Sequence, residues 1–250
     1  MKALITGASS GIGKDMARIL SSRGYDLILV ARDKEKLEKL KKELTTEVQI
    51  ISMDISSTFN CMKLYNRVKK EDIDILVNNA GFGVYGKFDE TSLDKELDMI
   101  DLNIKAVHTL TKMFLKDFKE KNKGYILNVS SAAAFLPRPL MAGYYASKAY
   151  VLRLTEAIYE ELRQDNSSVY VGALCPGPVN TNFNNVAGVK FSVEALESYD
   201  VASYAVKKMF EREMIIIPGK MMKFNIFMNK FIPKKALLKM AYGIQKKKDQ

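Results

Sequence analysis

Short apolar runs alternate with amphipathic segments along most of this chain. Seven near-continuous apolar runs predict strands covered on both faces, and they span 3–5, 27–31, 49–52, 75–77, 125–129, 170–174 and 214–217. Apolar residues at helical spacing predict helices over 13–23, 34–44, 59–70, 93–120, 144–165 and 193–211. This alternation predicts an α/β fold, a Rossmann-like doubly wound parallel sheet of about seven strands with helices on both faces.

Length and composition predict the domain organisation. The chain has 250 residues, of which 47% are hydrophobic and 27% charged, and no linker interrupts residues 1–219. We predict a single α/β domain over 1–219 and a helical extension over 220–250. No run approaches the roughly 20 apolar residues of a membrane-spanning helix, and the first residues lack a secretory signal pattern. We therefore expect a cytoplasmic protein.

The cysteine and histidine content restricts the chemistry. Cys61 and Cys175 match no metal-binding or redox spacing, so we interpret them as core residues. His108 is the single histidine and lies within a predicted helix. No GxSxG motif accompanies it, which argues against a Ser-His-Asp hydrolase, and zinc chemistry lacks ligands. A structural or surface role for His108 is favoured over a catalytic one.

The positive charge is concentrated at the C-terminal end. The formal net charge is +10, yet residues 220–250 alone hold nine lysines and one acidic residue, Asp249. The remaining chain is therefore nearly balanced, which argues against nucleic acid as a partner.

A glycine-rich segment follows the first predicted strand. It runs from Thr6 to Gly13 with the sequence TGASSGIG, and a predicted helix follows. Glycines at 7, 11 and 13 let the backbone turn sharply and let a pyrophosphate approach the helix N-terminus, whose dipole favours negative charge. The alternative is a tight turn without a ligand, but the position between strand and helix favours phosphate binding.

The segment Thr6–Gly13 resembles the cofactor-binding motif of the short-chain dehydrogenase/reductase family. Further matches in family order, over about residues 1 to 219, are Asn78-Asn79-Ala80-Gly81, Asn103, Ser131, Tyr144-Tyr145-Ala146-Ser147-Lys148 and Pro176-Gly177-Pro178-Val179-Asn180-Thr181. The resemblance implies an oxidoreductase that moves a hydride between a nicotinamide cofactor and a small carbonyl or alcohol substrate, usually as a homodimer or homotetramer. The predicted cofactor-binding residues are Gly7, Ser9, Ser10, Gly11, Ile12, Gly13, Arg32, Asp54, Ile55, Asn79, Ala80, Gly81, Tyr144, Lys148, Pro176, Gly177, Val179 and Thr181.

Tyr144 and Lys148 are the strongest candidates for proton transfer. They are four residues apart on a predicted helix, so both side chains project from one face. A lysine ammonium within about 5 Å favours the phenolate, so we expect Lys148 to lower the pKa of Tyr144. Tyr145 has Ala149 in the equivalent position and no such partner. The alternative for an isolated pair of this kind is a surface contact.

Two further catalytic residues are implied by the resemblance. Ser131 corresponds to the family serine whose hydroxyl binds the substrate carbonyl oxygen, and its neighbour Ser130 is the competing candidate. Asn103 corresponds to the asparagine that supports a water chain to the lysine. Asn103 can also satisfy a helix irregularity, and both roles can hold together.

The end of the second predicted strand indicates the cofactor. Ala31 stands where an acid would bind the ribose 2′-hydroxyl of NAD, and Arg32 follows, able to clamp a 2′-phosphate. Asp33 is expected to cap the next helix, and Asp54 resembles the family aspartate that binds adenine. We therefore predict NADP(H); the alternative is that Arg32 is an ordinary surface charge.

The extension has an apolar stripe at helical spacing in each half. The stripes comprise Phe224, Phe227, Met228 and Phe231, then, beyond Pro233, Leu237, Met240, Ala241 and Ile244. Three interpretations stay open: helices packed on the body or on a partner subunit, a basic amphipathic contact with an anionic membrane, or a lid over an apolar substrate.

Alternatives for the activity also remain open. Within the enzyme class these are 3-oxoacyl reduction and 3-hydroxy-acid oxidation, and outside it an NADP-binding sensor or scaffold without turnover. Substrate choice is expected to lie in residues 182–199, whose apolar side chains permit an apolar ligand.

Overall fold

A computed structural model shows one parallel sheet that contains all seven predicted strands. The structure describes residues 1–183, 195–229 and 231–246. The strands are β1 (Lys2–Thr6), β2 (Asp26–Ala31), β3 (Val48–Ser52), β4 (Ile73–Asn78), β5 (Tyr125–Val129) and β6 (Tyr170–Leu174), two short strands outside the sheet, β7 (Val179–Asn180) and β8 (Leu196–Glu197), and finally β9 (Ile215–Ile216). The sheet order is β3-β2-β1-β4-β5-β6-β9. The predicted doubly wound α/β fold is confirmed.

Helices connect the strands close to the predicted positions. They are α1 (Gly11–Ser22), α2 (Lys34–Glu43), α3 (Thr58–Val68), α4 (Leu93–Ile100), α5 (Val107–Lys121), α6 (Ala142–Gln164), α7 (Ser198–Phe210), α8 (Lys220–Asn229) and α9 (Lys234–Lys246). The single helix predicted over 93–120 is instead α4 and α5 joined by a π-helical turn, Asp101–Ala106. The helix predicted to begin at 193 begins at Ser198, and residues 193 and 194 lie outside the described part.

The core has two layers because neighbouring strand residues point to opposite faces of the sheet. On β1, Ala3 and Ile5 face the layer formed with α1, α2 and α7. Leu4 faces the layer formed with α3, α5 and α6. Full burial of a leucine or isoleucine contributes roughly 1.5–3 kcal/mol, so this two-sided cover is the main stabilising feature of the sheet.

The strand order reverses direction between β1 and β4, where the chain crosses from one half of the sheet to the other. In a doubly wound sheet, a crevice opens at that point beside the carboxyl ends of the strands. The loops after β1, β4, β5 and β6 converge there, and they hold many of the predicted cofactor-binding residues and Ser131.

Cys61 and Cys175 are buried and unpaired with each other, which confirms their interpretation as core residues. Burial raises the pKa of Cys61 to about 11 and that of Cys175 to about 12. Both thiols are therefore protonated and unreactive near neutral pH. The exposed His108 has Nδ1 2.7 Å from the Tyr150 hydroxyl, which fits the expected surface role.

Candidate active site

The loop after β1 is tied to the loop after β4. The Asn79 side-chain amide donates to the carbonyls of Thr6, at 3.0 Å, and Gly7, at 3.1 Å. Gly7 has φ +64°, in the region that favours glycine, and a Cβ at Gly13 would lie 2.3 Å from the Asn79 amide nitrogen. Thr6 Oγ1 also accepts from the backbone amides of Asn79 and Ala80. Close packing thus accounts for two of the three glycines.

The N-terminus of α1 carries the positive end of the helix dipole and has no side-chain cap of its own. Its N-cap, Ser10, makes no capping hydrogen bond through its side chain, and the first turn contains no acidic residue. By contrast, α2, α3 and α4 are capped by Asp33, Ser57 and Ser92. An uncapped helix N-terminus beside a glycine loop fits the pyrophosphate of a dinucleotide. Ser9 and Ile12 flank this turn and are half-buried.

The segment after β6 packs against the other side of the glycine loop. A Cβ at Gly11, which has φ +52°, would lie 2.9 Å from the Thr181 methyl group. Val179 is buried in β7, and the Pro176 carbonyl accepts from the Ala132 amide at 2.8 Å. The predicted residues of segment 176–181, Gly177 included, are thus brought next to the glycine loop and to the chain after β5.

Arg32 and Asp54 lie at the far end of the crevice, directly after β2 and β3. Arg32 is exposed, and its side chain forms no ion pair or hydrogen bond with any residue that the structure describes. Asp33 caps α2 by accepting from the Lys36 amide at 3.0 Å, which confirms that prediction. Asp54 is exposed and accepts from the Ser56 amide at 2.9 Å, whereas Ile55 is buried.

Tyr144, Ser131 and Lys148 meet at the carboxyl end of β5. Tyr144 lies on the first turn of α6, is 9% exposed, and hydrogen-bonds with the Ser131 side chain. The Lys148 ammonium donates to the Val129 carbonyl at 2.9 Å and lies 5.9 Å from the centre of the Tyr144 ring. The predicted spacing therefore does place both side chains on one face of the helix.

The expectation that Lys148 lowers the pKa of Tyr144 is wrong for this arrangement. Burial raises the pKa of Tyr144 above its ordinary value, and the hydrogen bond with Ser131 opposes this only in part. Burial also lowers the pKa of Lys148 to about 8. Burial is therefore the main cause of both shifts, and Tyr144 is a neutral phenol near neutral pH.

Replacing Lys148 with methionine should change how stability depends on pH. The folded pKa of about 8 lies below the ordinary 10.5, so between these values the unfolded chain binds more protons and wild-type stability rises with pH. Between pH 7 and pH 10, wild type should gain about 2–3 kcal/mol relative to Lys148→Met. Denaturant unfolding of both proteins at each pH measures this, and parallel pH profiles would contradict the burial of a charged ammonium.

The two neighbouring serines have different partners. Ser131 Oγ accepts from the Ala133 amide at 3.1 Å and faces Tyr144. Ser130 Oγ is buried and donates to the Lys148 backbone carbonyl at 2.8 Å. Ser131 is therefore the serine next to the Tyr144 hydroxyl, whereas Ser130 is bound to the backbone of α6.

Asn103 is fully buried in the π-helical turn, which widens the helix at that point. Its side chain accepts from the Phe82 amide at 3.1 Å and donates to the Phe82 carbonyl and to Ser147 Oγ. A Cβ at Gly81 would lie 2.8 Å from Asn103 Oδ1 and 3.3 Å from Lys148 Nζ. Asn103 thus connects the π-helical turn to the Phe82 backbone and to α6, and it lies near Lys148.

An apolar cluster surrounds the Tyr144 ring. The sequence indicated only its contribution from residues 182–199. The Phe183 ring lies 5.3 Å from the Tyr144 ring, centre to centre. The other members are Met99, Ala133 and Met141, with Phe82, Val84, Tyr85 and Tyr145 packed against them. In the sequence, this cluster could have been indicated by the aromatic residues Phe82 and Tyr85, which closely follow the Asn78-Asn79-Ala80-Gly81 motif. Residues 184–194, most of the segment expected to choose the substrate, lie outside the described part.

A family model for short chain dehydrogenases matches residues 1–189. The Rossmann-like fold agrees with this match. The chain belongs to the short-chain dehydrogenase/reductase family.

Several characterised and uncharacterised relatives are similar to the chain. It is 34% identical over 206 residues to a very-long-chain 3-oxoacyl-CoA reductase of Anas platyrhynchos, covering 79% of this chain and 65% of that protein. It is 31% identical over 208 residues to an uncharacterised oxidoreductase of Staphylococcus epidermidis, covering 82% and 90%. The chain thus spans slightly less than two thirds of the reductase and most of the bacterial relative.

Solved structures of the family are similar over most of the chain. A short-chain dehydrogenase from Sphingobium yanoikuyae in complex with NADPH has 32% identity and a TM-score of 0.81, covering 88% of each chain. A family member from Burkholderia phymatum in complex with NAD has 26% identity and a TM-score of 0.82, covering 90% and 91%. These likenesses support a nicotinamide cofactor without selecting between its two forms.

Proposed function

We propose that the protein reduces apolar carbonyl compounds with NADPH, or oxidises the corresponding secondary alcohols. The observation that carries this proposal is the buried Tyr144 hydroxyl, hydrogen-bonded with Ser131 and next to Lys148. A phenol keeps its proton at neutral pH and can donate it to a developing alkoxide.

Each residue of the cluster has a separate role in this proposal. A nicotinamide dinucleotide bound at the glycine loop would supply the hydride. The Tyr144 hydroxyl donates its proton to the substrate oxygen, while the Ser131 hydroxyl hydrogen-bonds with that oxygen and stabilises its negative charge. The Lys148 ammonium holds the cofactor ribose and replaces the proton of Tyr144. Asn103 acts as a positioning residue, because it fixes the Phe82 backbone beside Lys148.

The cofactor preference rests on the chain after β2. The Asp33 carboxylate is held by the Lys36 amide and, at 2.8 Å, by the Lys36 ammonium, so it is not placed to accept from a ribose 2′-hydroxyl. Ala31 offers no acceptor at the adjacent position. Arg32 is exposed there, and a guanidinium binds a phosphate through two parallel hydrogen bonds. We therefore propose NADP(H).

Replacing Arg32 with alanine should weaken NADPH binding by about one to two decades, because charge-assisted hydrogen bonds contribute about 1.5–3 kcal/mol each. NADH affinity should stay within a few-fold, since NADH lacks the 2′-phosphate. Adding Ala31→Asp should reverse the preference, because the new carboxylate accepts from the 2′-hydroxyl and repels phosphate. Titrations of wild type and both variants with each cofactor measure this. Equal losses of affinity for NADPH and NADH would show that Arg32 is an ordinary surface charge that does not recognise the 2′-phosphate.

The proposed substrate class follows from the apolar cluster around Tyr144. Six of its side chains, Phe82, Val84, Met99, Met141, Tyr145 and Phe183, leave little polar surface near the reacting oxygen. Among apolar carbonyls we propose 3-oxoacyl chains for the first test, supported by the likeness to the 3-oxoacyl-CoA reductase.

A series of 3-oxoacyl thioesters of increasing chain length, followed through NADPH oxidation, tests the proposed activity. We expect kcat/KM to rise with chain length, because each additional buried methylene contributes about 0.8 kcal/mol. The matching 3-hydroxyacyl compounds with NADP⁺ test the reverse direction. Tight NADPH binding without turnover on any carbonyl would favour the sensor or scaffold alternative.

We also propose that the protein is cytoplasmic. We further propose that it forms a homodimer or homotetramer, as the family resemblance implies. Sedimentation velocity of the full chain measures its assembly state, and fractionation of the cells that make it measures its location.

A further inference from the structure

The apolar stripe of α8 faces away from the body of the protein. Phe224, Phe227 and Phe231 are 58%, 54% and 67% exposed, and the rings of Phe227 and Phe231 lie 5.2 Å apart in an edge contact. Packing is provided by the opposite side of the helix, where Ile226 is buried and Met222 lies against Gly177. The stripe therefore does not pack on the body, and a partner subunit, a membrane or a lid over the substrate stay as its open interpretations.

The second helix of the extension also exposes apolar side chains. On α9, Leu238, Met240 and Tyr242 are exposed. We call the exposed sides of α8 and α9 together the tail surface.

Lysines surround the apolar residues of the tail surface. Residues 220–250 contain nine lysines and one acidic residue, and Lys220, Lys234, Lys235 and Lys239 are exposed on the two helices. Exposed phenylalanine and methionine within a field of lysines match the interfacial layer of an anionic bilayer, where rings enter the headgroup region and ammonium groups meet lipid phosphates. No helix in the described residues is long and apolar enough to span a bilayer.

We propose that the tail surface docks the protein onto anionic phospholipid membranes. A second copy of the chain is the competing occupant, but a two-fold interface would bring the same lysine-rich patch against itself and repel. Because Met222 contacts Gly177 beside the glycine loop, the docked membrane would lie on the side of the molecule that carries the active site. The proposal rests on the extension alone and does not depend on the activity proposed above.

Flotation of the full-length protein with two kinds of vesicle tests the docking. One kind is phosphatidylcholine alone and the other contains equal parts of phosphatidylcholine and phosphatidylglycerol. We expect binding to the anionic vesicles only, weakened by high salt because exposed charges are screened. The quadruple change of Lys220, Lys234, Lys235 and Lys239 to glutamine should weaken the partition constant about tenfold or more, because each lysine near an anionic surface contributes.

The apolar half of the surface needs its own variant and a matched control. Phe224→Ser with Phe227→Ser should also weaken binding about tenfold or more, since buried aromatic area adds to the attraction. Phe59→Ser is the control, because Phe59 is 73% exposed on α3, outside the tail surface. NADPH affinity, measured without vesicles, should be unchanged in all three and reports that they fold.

Two results would overturn the proposal. One is equal flotation of wild type, the lysine variant and the phenylalanine variant, or no flotation at all. The other is a wild-type oligomer that Phe224→Ser with Phe227→Ser converts to monomer, which would assign the tail surface to a second copy of the chain.

Discussion

Tyr144→Phe should keep NADPH affinity and lose about 10²–10⁴-fold in kcat, the range that general acid catalysis contributes. The ring remains in its apolar cluster, so packing and the cofactor site should be unaffected. The hydroxyl is removed, and with it the proton that we propose passes to the substrate oxygen. Steady-state rates on the best 3-oxoacyl substrate, together with NADPH titration, measure both quantities.

Tyr145→Phe is the matched control for this experiment. Tyr145 is the adjacent tyrosine, and its hydroxyl accepts from the Arg138 guanidinium at 3.1 Å. Loss of that hydroxyl should change kcat by less than a few-fold, because it is not the group proposed to exchange a proton. If Tyr144→Phe retained half the wild-type rate, or if both variants lost activity equally, Tyr144 would not be the acid.

Ser131→Ala should lower kcat by about 10²–10³-fold, the usual effect of removing one hydrogen-bond donor that stabilises a developing oxyanion. The Ser131 hydroxyl hydrogen-bonds with Tyr144, so both donors can reach the same oxygen. Ser131→Ala also removes the hydrogen bond that partly offsets the effect of burial on Tyr144. The pKa of Tyr144 should therefore rise further. Single-turnover rates as a function of pH separate this loss from any change in cofactor binding.

Ser130→Ala distinguishes a catalytic serine from a structural one. The buried Ser130 hydroxyl donates to the Lys148 carbonyl at 2.8 Å, so its loss should cost about 1 kcal/mol of unfolding free energy. We expect kcat to stay within a few-fold of wild type. A larger loss of activity in Ser130→Ala than in Ser131→Ala would reverse the two assignments.

The strands were predictable because a doubly covered parallel sheet requires apolar residues at consecutive positions. The two-residue β7 and β8 were not, since Val179 and Leu196 pair across a long stretch of chain and leave no local pattern. The π-helical turn was also missed, because α4 and α5 share one continuous apolar spacing. Its i→i+5 backbone bonding leaves no mark in that spacing.

The candidate site was predictable in its membership more than in its electrostatics. Tyr144 and Lys148 share a face because of helical geometry, which spacing gives directly. Their pKa values depend on how deeply the fold buries them, and sequence spacing contains no measure of depth. The outward direction of Phe224 and Phe227 was not predictable for a similar reason. A helical stripe of apolar residues identifies one face of the helix, but it does not show what that face contacts.

The bonds from Asn79 to Thr6 and Gly7 have a thermodynamic consequence for the binding of any ligand at the glycine loop. Ordering the backbone of one residue costs roughly 1–2 kcal/mol, and here the protein's own amide has already ordered two. A dinucleotide therefore meets a preorganised loop and loses little affinity to ordering it. Asn79→Ala would move that entropic cost into the binding step, where calorimetry would record it as a less favourable entropy of association.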